Sequence, residues 1–356
     1  MAARTRPVTR RALAALPLLA LARRAAAQGR FAGATVRIGT FGGTNGETIR
    51  QAVGERFAAA GATLEFVTGS PQDNMAKVVA ARRREPPMDA FEILGAQVPQ
   101  VNALGLLAEL DYAAIPNAAA LDPAQRLPNM VAIWTTQEMI VVNGPALAER
   151  GIPMPTRLQD LADPRLRGRV MIPDISSGGG LEAVGAFALA AGGNEANIEP
   201  GLQLIRSIPD LRLWKAGGEV VTAFRSGDVW VAVAHAGWAV RTVYAGVPVT
   251  AVPANLGAHV GLVKEGFMGI VRGSRQPALA AFYIDAYLDA ATQNLMAVRT
   301  GTVPVHPAAR AALADTAVLR DQMILDPARV AAMARLDFGR VDVATWNDRW
   351  NRVIAR

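Results

Sequence analysis

Polar and apolar positions along this chain change their period in blocks. Thr35-Val-Arg-Ile-Gly-Thr40 alternates at each step, as a half-buried strand does, and the Gly-rich Phe41-Gly42-Gly43-Thr44-Asn45-Gly46 that follows reads as a loop. Ile49, Val53 and Phe57 then recur at helical spacing and predict a helix over Glu47 to Ala60. A second unit repeats the order: strand Leu64 to Val67, turn Thr68 to Pro71, and a helix through Met75, Val78 and Val79. Ala90 to Leu94 is a third strand. Strands alternating with helices of this length imply βαβ units and a parallel sheet.

Ile133 to Val142 (IWTTQEMIVV) is long for a lone strand, and beyond it a second α/β series begins. Arg169 to Ile172 is a strand, Pro173 to Gly180 a loop and Leu181 to Ala191 an Ala-rich helix. Val229 to Ala234 and Val247 to Val252 read as extended, with a helix from Gly237 to Ala245 between them, and Gly266 to Val271 is extended as well. From Pro277 onward helical spacing dominates, ending with Trp346, Trp350 and Ile354 on one face. No internal repeat is present. The pattern predicts an α/β protein of two lobes, each a mainly parallel sheet flanked by helices, with long extended connections and more than one crossover between them.

Composition narrows this picture. The 356 residues include no Cys, which excludes a disulfide scaffold, a thiolate metal cluster and a cysteine nucleophile. The net charge of +7 points at first to nucleic acid or an acidic membrane. Its location removes that reading. Arg4, Arg6, Arg10, Arg11, Arg23 and Arg24 flank the apolar run Ala12 to Ala22, and Ala25 and Ala27 satisfy the small-x-small rule of a signal-peptidase site. Residues 1–27 therefore read as a secretory signal peptide, the apolar run being shorter than the roughly 20 residues a bilayer requires. Thr9-Arg10-Arg11-Ala12-Leu13 resembles the twin-arginine export signal, the alternative being an ordinary signal with adjacent arginines. Without those six arginines, 31 of the 37 basic residues remain against 30 acidic ones, a net of +1.

Enzyme motifs are missing. No G-x-G-x-x-G, P-loop or G-x-S-x-G occurs, and His235, His259 and His306 lack metal-ligand spacing. The expectation is a protein with no catalytic residue, no metal and no cofactor, the alternative being a twin-arginine-exported enzyme whose site is assembled from residues distant in sequence.

Four ordered segments carry a family resemblance. They are Gly105-Leu-Leu-Ala-Glu-Leu-Asp111 with Ile115-Pro-Asn117; Pro155-Thr-Arg-Leu-Gln-Asp-Leu161 through Asp163-Pro-Arg-Leu-Arg-Gly-Arg-Val170; Ser226-Gly-Asp228 ahead of Val231 to Ala234; and Thr345-Trp-Asn-Asp-Arg-Trp350. Together, from Val36 to Arg352, they resemble the periplasmic substrate-binding proteins of ABC importers, in the branch that includes spermidine/putrescine binders. The resemblance implies a type II periplasmic-binding-protein fold that closes on a small-molecule solute between its lobes. It also implies a soluble periplasmic monomer that delivers the solute to a membrane permease and binds no nucleic acid. The lobes would comprise residues 34–134 plus 268–311 and residues 137–267, with a helical segment, 312–356, packed on them.

Loops at the carboxyl ends of parallel strands are where open α/β sheets take ligands. Phe41, Thr44 and Asn45 sit in the first such loop, which is otherwise a tight strand-to-helix turn. Gln97 falls where the resembled proteins place an aromatic contact. Trp134 with Thr135 at the crossover offers an aromatic platform or packs the hinge. Asp174, Ser176, Ser177 and Glu182 occupy a loop and helix start whose N–H groups suit an anion. The resemblance instead makes Glu182 a partner for a ligand ammonium, unless it is only a helix-start acid at the surface.

The second-lobe wall departs from the amine-binding pattern. His235 stands where those relatives carry Trp, with Trp238 three residues on, and Lys264 with Glu265 stands where they carry an aromatic and an aspartate. A polyamine-like amine is the first expectation for the ligand, and an anionic or zwitterionic solute the alternative that Lys264 introduces. The dispersed Tyr112, Tyr244, Tyr283 and Tyr287 argue against ferric iron.

Overall fold

The structure is a computed structural model that describes residues 29–81 and 84–354. The signal peptide expected at residues 1–27 lies outside the described residues. Among the described residues, nine strands form one curled mixed sheet: β1 (Thr35–Thr40), β2 (Thr63–Thr68), β3 (Ala90–Leu94), β4 (Val131–Asn143), β5 (Val170–Pro173), β6 (Arg212–Trp214), β7 (Val231–His235), β8 (Val249–Val252) and β9 (Leu262–Ile270). Their order is β2-β1-β3-β9-β4-β7-β5-β6, with β8 on β4. The ends of the sheet are parallel, β1 with β2 and β3, and β5 with β6 and β7.

The middle of the sheet differs from two self-contained parallel sheets. β9 runs antiparallel to both β3 and β4, and β4 antiparallel to β7 and β8, so the two parallel ends are joined through hydrogen-bonded crossover strands. The 13-residue β4 makes this possible. Its first part pairs with β9 and its second with β7 and β8. All but its last residue are buried, so its apolar ends need no polar face, while the central Thr135, Thr136, Gln137 and Glu138 are polar groups buried within it.

The helices used below are α1 (Gly43–Ala59), α2 (Pro71–Ala81), α3 (Gly180–Ala190), α4 (Glu199–Arg206), α5 (Gly218–Arg225), α6 (Ala236–Tyr244), α7 (Pro277–Leu288), α8 (Ala290–Thr300) and α9 (Val343–Val353). α1 begins inside the Gly-rich segment expected as loop. Gly43, at φ 58°, takes the left-handed conformation that turns the chain sharply from strand to helix. Ile49, Val53 and Phe57 form its buried face, as their spacing requires.

Three apolar clusters divide the core. One joins β1, β3 and the start of β4 to the end of β9 and to α7, through residues such as Ile38, Phe91, Ile133, Met268 and Tyr283. Another gathers Ile140, Val170, Phe187, Leu202 and Val231 with Trp346 and Trp350 of α9. The third packs Val141, Trp214, Phe224 and Val240 against Leu313, Leu319, Met323 and Met333. Buried glutamines tie the C-terminal segment to this frame. Gln137 on β4 donates from Nε2 to the Ile324 carbonyl at 3.0 Å and accepts from the Ile324 N–H at 3.3 Å, and Gln322 bridges Val249 and Ala251 on β8. Among the described residues no helix is long and apolar enough to cross a membrane.

Candidate functional site

Helix starts and crossover strands converge on one cavity of about 810 Å³. The loop after β1 and the starts of α1 and α2 supply one wall, with Leu94, Ala96 and Gln97 after β3. The starts of α3, α5 and α6, with Trp214 at the end of β6 and Lys215 after it, supply the other. Trp134, Thr136 and Lys264 on the crossover strands lie between the walls, and Thr300 to Thr302 and the α9 residues Val343 and Asn347 complete the lining.

Of the residues singled out in the sequence, Phe41, Thr44, Asn45, Gln97, Trp134, Ser176, Ser177, Glu182, His235, Trp238 and Lys264 line this cavity. Thr135, Asp174 and Glu265 do not. Thr135 lies between Trp134 and Thr136 on β4, so its side chain faces the other side of the sheet, and its backbone pairs with Val303. Glu265 is turned away from Lys264 by the same alternation. Burial pushes its carboxyl up, and the Arg335 guanidinium opposes that shift. Asp174 is spent within its own loop, accepting from the Ser176 N–H at 2.9 Å.

Glu182 and Lys264 do not act as separate charges. Lys264 Nζ lies 3.8 Å from Glu182 Oε1, with side chains 3% and 4% exposed respectively. The same ammonium donates to the Gly178 carbonyl and sits 3.4 Å from His235 Nε2. His235 Nδ1 in turn lies 2.8 Å from Glu138 Oε2, a close contact whose angle falls short of an aligned hydrogen bond. A line of four titratable groups, Glu138, His235, Lys264 and Glu182, therefore runs through adjoining elements, and the last three of them line the cavity. Lys264 ties the DISSGGG loop to β9 as much as it faces the cavity.

Other lining groups were not evident from the sequence. Arg241 on α6 places its guanidinium over the Trp238 ring, Cζ 4.3 Å from its centroid, and donates from Nε to the Thr300 carbonyl at 3.1 Å. Burial pulls this guanidinium below its usual value, yet it stays a cation at any physiological pH. Trp214 donates its indole N–H to the Val233 carbonyl and presents its ring to the cavity, and Lys215 follows it at the rim. β6 is only three residues long, too short to register as an apolar run. Among the described residues no group of three or more His, Cys, Asp or Glu side chains is placed to hold a metal ion.

The sequence profile of a family described as bacterial extracellular solute-binding protein matches residues 101–325. The chain belongs to that family. Solved structures share the fold of this solute-binding protein. One described as an ABC transporter from Clostridium perfringens is 22% identical and covers 90% of this chain and 99% of its own, at a TM-score of 0.71. One provisionally described as a spermidine/putrescine ABC transporter from Listeria monocytogenes is 15% identical over 90% of this chain and 99% of its own, at 0.74. A periplasmic binding protein from A. tumefaciens R10, in complex with agropinic acid, is 18% identical over 91% and 97%, at 0.67. Among curated protein sequences none matches this chain.

Proposed function

We propose that this solute-binding protein is the periplasmic receptor of an ABC importer and takes a small acidic or zwitterionic solute into the cavity for delivery to a membrane permease. The lobes that close on it are residues 34–134 plus 268–311 and residues 137–267, with residues 312–356 packed against them. The observation that carries the ligand class is the Lys264–Glu182 pair. With Glu182 already matched by an ammonium, the charges left at the wall are the cations Arg241 and Lys215. The starts of α1, α2, α3, α5 and α6 add partial positive charge on the same side of the balance. A volume of about 810 Å³ falls in the range of small-molecule sites.

An amine ligand is the second reading. Glu182 does reach the wall, and Phe41, Trp134, Trp214 and Trp238 offer aromatic faces to a cation. It would have to compete with Lys264 for Glu182. Thermal denaturation of the full chain with succinate, glutamate or putrescine separates the readings. A ligand at 100 times its Kd adds about 2.7 kcal/mol of stability. Stabilisation by succinate or glutamate is expected, and stabilisation by putrescine alone would overturn the acidic reading in favour of the amine one.

A further inference from the structure

Behind the first wall of the cavity lies Glu92, a carboxyl on β3 that is 1% exposed and is not among the lining residues. Among the described residues it has no cation partner within salt-bridge distance. Its partners are neutral donors from three separate elements. Thr40 at the end of β1 donates its hydroxyl to Oε1, the Asn45 amide of α1 approaches the same oxygen at 3.5 Å, and the Trp134 indole N–H on β4 donates to Oε2 at 3.2 Å. Asn45 and Trp134 both line the cavity.

Trp134 also sits beside an irregularity in the crossover. The register of β4 on β9 shifts between Ala132 and Trp134, and bulges of this kind re-aim the side chain that follows. A re-aimed indole without a fixed partner would have more than one resting orientation.

We propose that Glu92 is a positioning residue for the cavity: it fixes the Trp134 indole beyond the β4 irregularity and the Asn45 amide beside it, so that two ligand-facing side chains keep one spacing. The arrangement is independent of the ligand's charge. Without Glu92, a buried indole N–H loses its acceptor, and the ends of β1, α1 and β4 lose their common tie.

Burial, opposed by the hydrogen bonds from Thr40, Trp134, Asn45 and the Phe41 backbone, raises the Glu92 carboxyl above its ordinary value. The titratable groups facing it are the buried phenols of Tyr283 and Tyr287 on α7, which burial and then the Glu92 charge push well up. β1, α1 and β4 supply the neutral donors named above, and Met268 is its register partner on β9. A carboxyl raised in the folded state favours folding below its ordinary value and loses that contribution as pH rises through the raised one. Glu92→Gln, which resembles the neutral acid, therefore gains stability relative to wild type as pH increases.

The test follows the Trp134 indole N–H resonance in the ¹⁵N-labelled full chain without ligand, assigned through Trp134→Phe. In wild type it should titrate with a midpoint above the ordinary carboxylate range. Glu92→Gln should hold the resonance near its wild-type acid limit and abolish the titration. Glu92→Leu should move it toward the position of a solvated indole and speed its hydrogen exchange at least about tenfold, a readout of the lost bond. An unchanged resonance and exchange rate in Glu92→Leu would overturn the proposal. So would a titration that survives in Glu92→Gln, and this decides the matter if the Leu variant does not fold.

Discussion

Lys264→Met is expected to destabilise the protein by about 3–5 kcal/mol, the cost of leaving one charge of a buried pair without its partner. The side chains of Lys264 and Glu182 are only 3% and 4% exposed, so solvent screening offers little relief. The substitution also removes the ammonium that donates to Gly178 and faces His235 Nε2, releasing the α3 start from β9. Adding Glu182→Gln should recover most of the loss, because an amide carries no charge that needs a partner. Urea denaturation of the two single variants and the double variant measures this directly. A loss below about 1 kcal/mol for Lys264→Met would mean that water reaches the pair in solution and the wall is not closed around it. The same variants alter ligand choice: Lys264→Met should weaken succinate binding and leave Glu182 available to putrescine, whereas Glu182→Gln should abolish any binding of putrescine.

The parts of this site that could be read in the sequence follow from one physical regularity. Strands such as the alternating Thr35 to Thr40 and the apolar Val231 to Ala234 are buried on one face or both, and the loops at their carboxyl ends open onto the cavity. That regularity places Phe41, Thr44, Asn45, Gln97, Ser176 and Ser177 on the lining without any knowledge of tertiary contacts. It does not resolve which residue of a crossover strand faces inward. Trp134 and Thr135 are neighbours in sequence yet face opposite sides of the sheet, and the same is true of Lys264 and Glu265.

What sequence alone leaves hidden lies in tertiary pairing. Glu182 and Lys264 belong to elements far apart in the chain, and the sign of the pocket changes once they are seen to neutralise each other. Trp214 and Arg241 reach the wall from a three-residue strand and from the middle of a helix, places that follow no loop rule. Glu92, Glu138 and Lys264 did carry a visible signal. Each is a charge in a strand bounded by apolar residues, AFEIL, VAIWTTQEMIVVN and LVKEGFMGI, and a charge buried there requires partners from other elements.

The partner strand opposite Trp134 gives the second large effect. Trp134 pairs in register with Gly266 on β9, and its ring occupies the space a side chain would fill. A Cβ at Gly266 would lie 2.2 Å from Trp134 Cε2 and 2.3 Å from Cζ2. The indole has little room to withdraw, because it is 8% exposed and its N–H is held by Glu92. Gly266→Ala should therefore cost about 1–3 kcal/mol through overpacking, even though alanine suits an extended backbone better than glycine does. The cost belongs to the ring and not to the strand, so it should fall toward zero when Gly266→Ala is made in a Trp134→Leu background. Denaturation midpoints of the four proteins in that cycle yield the coupling energy. An equal cost of Gly266→Ala with and without the indole would show that β9 tolerates no side chain for its own reasons, and Trp134 would then not be seated on Gly266 as the structure places it.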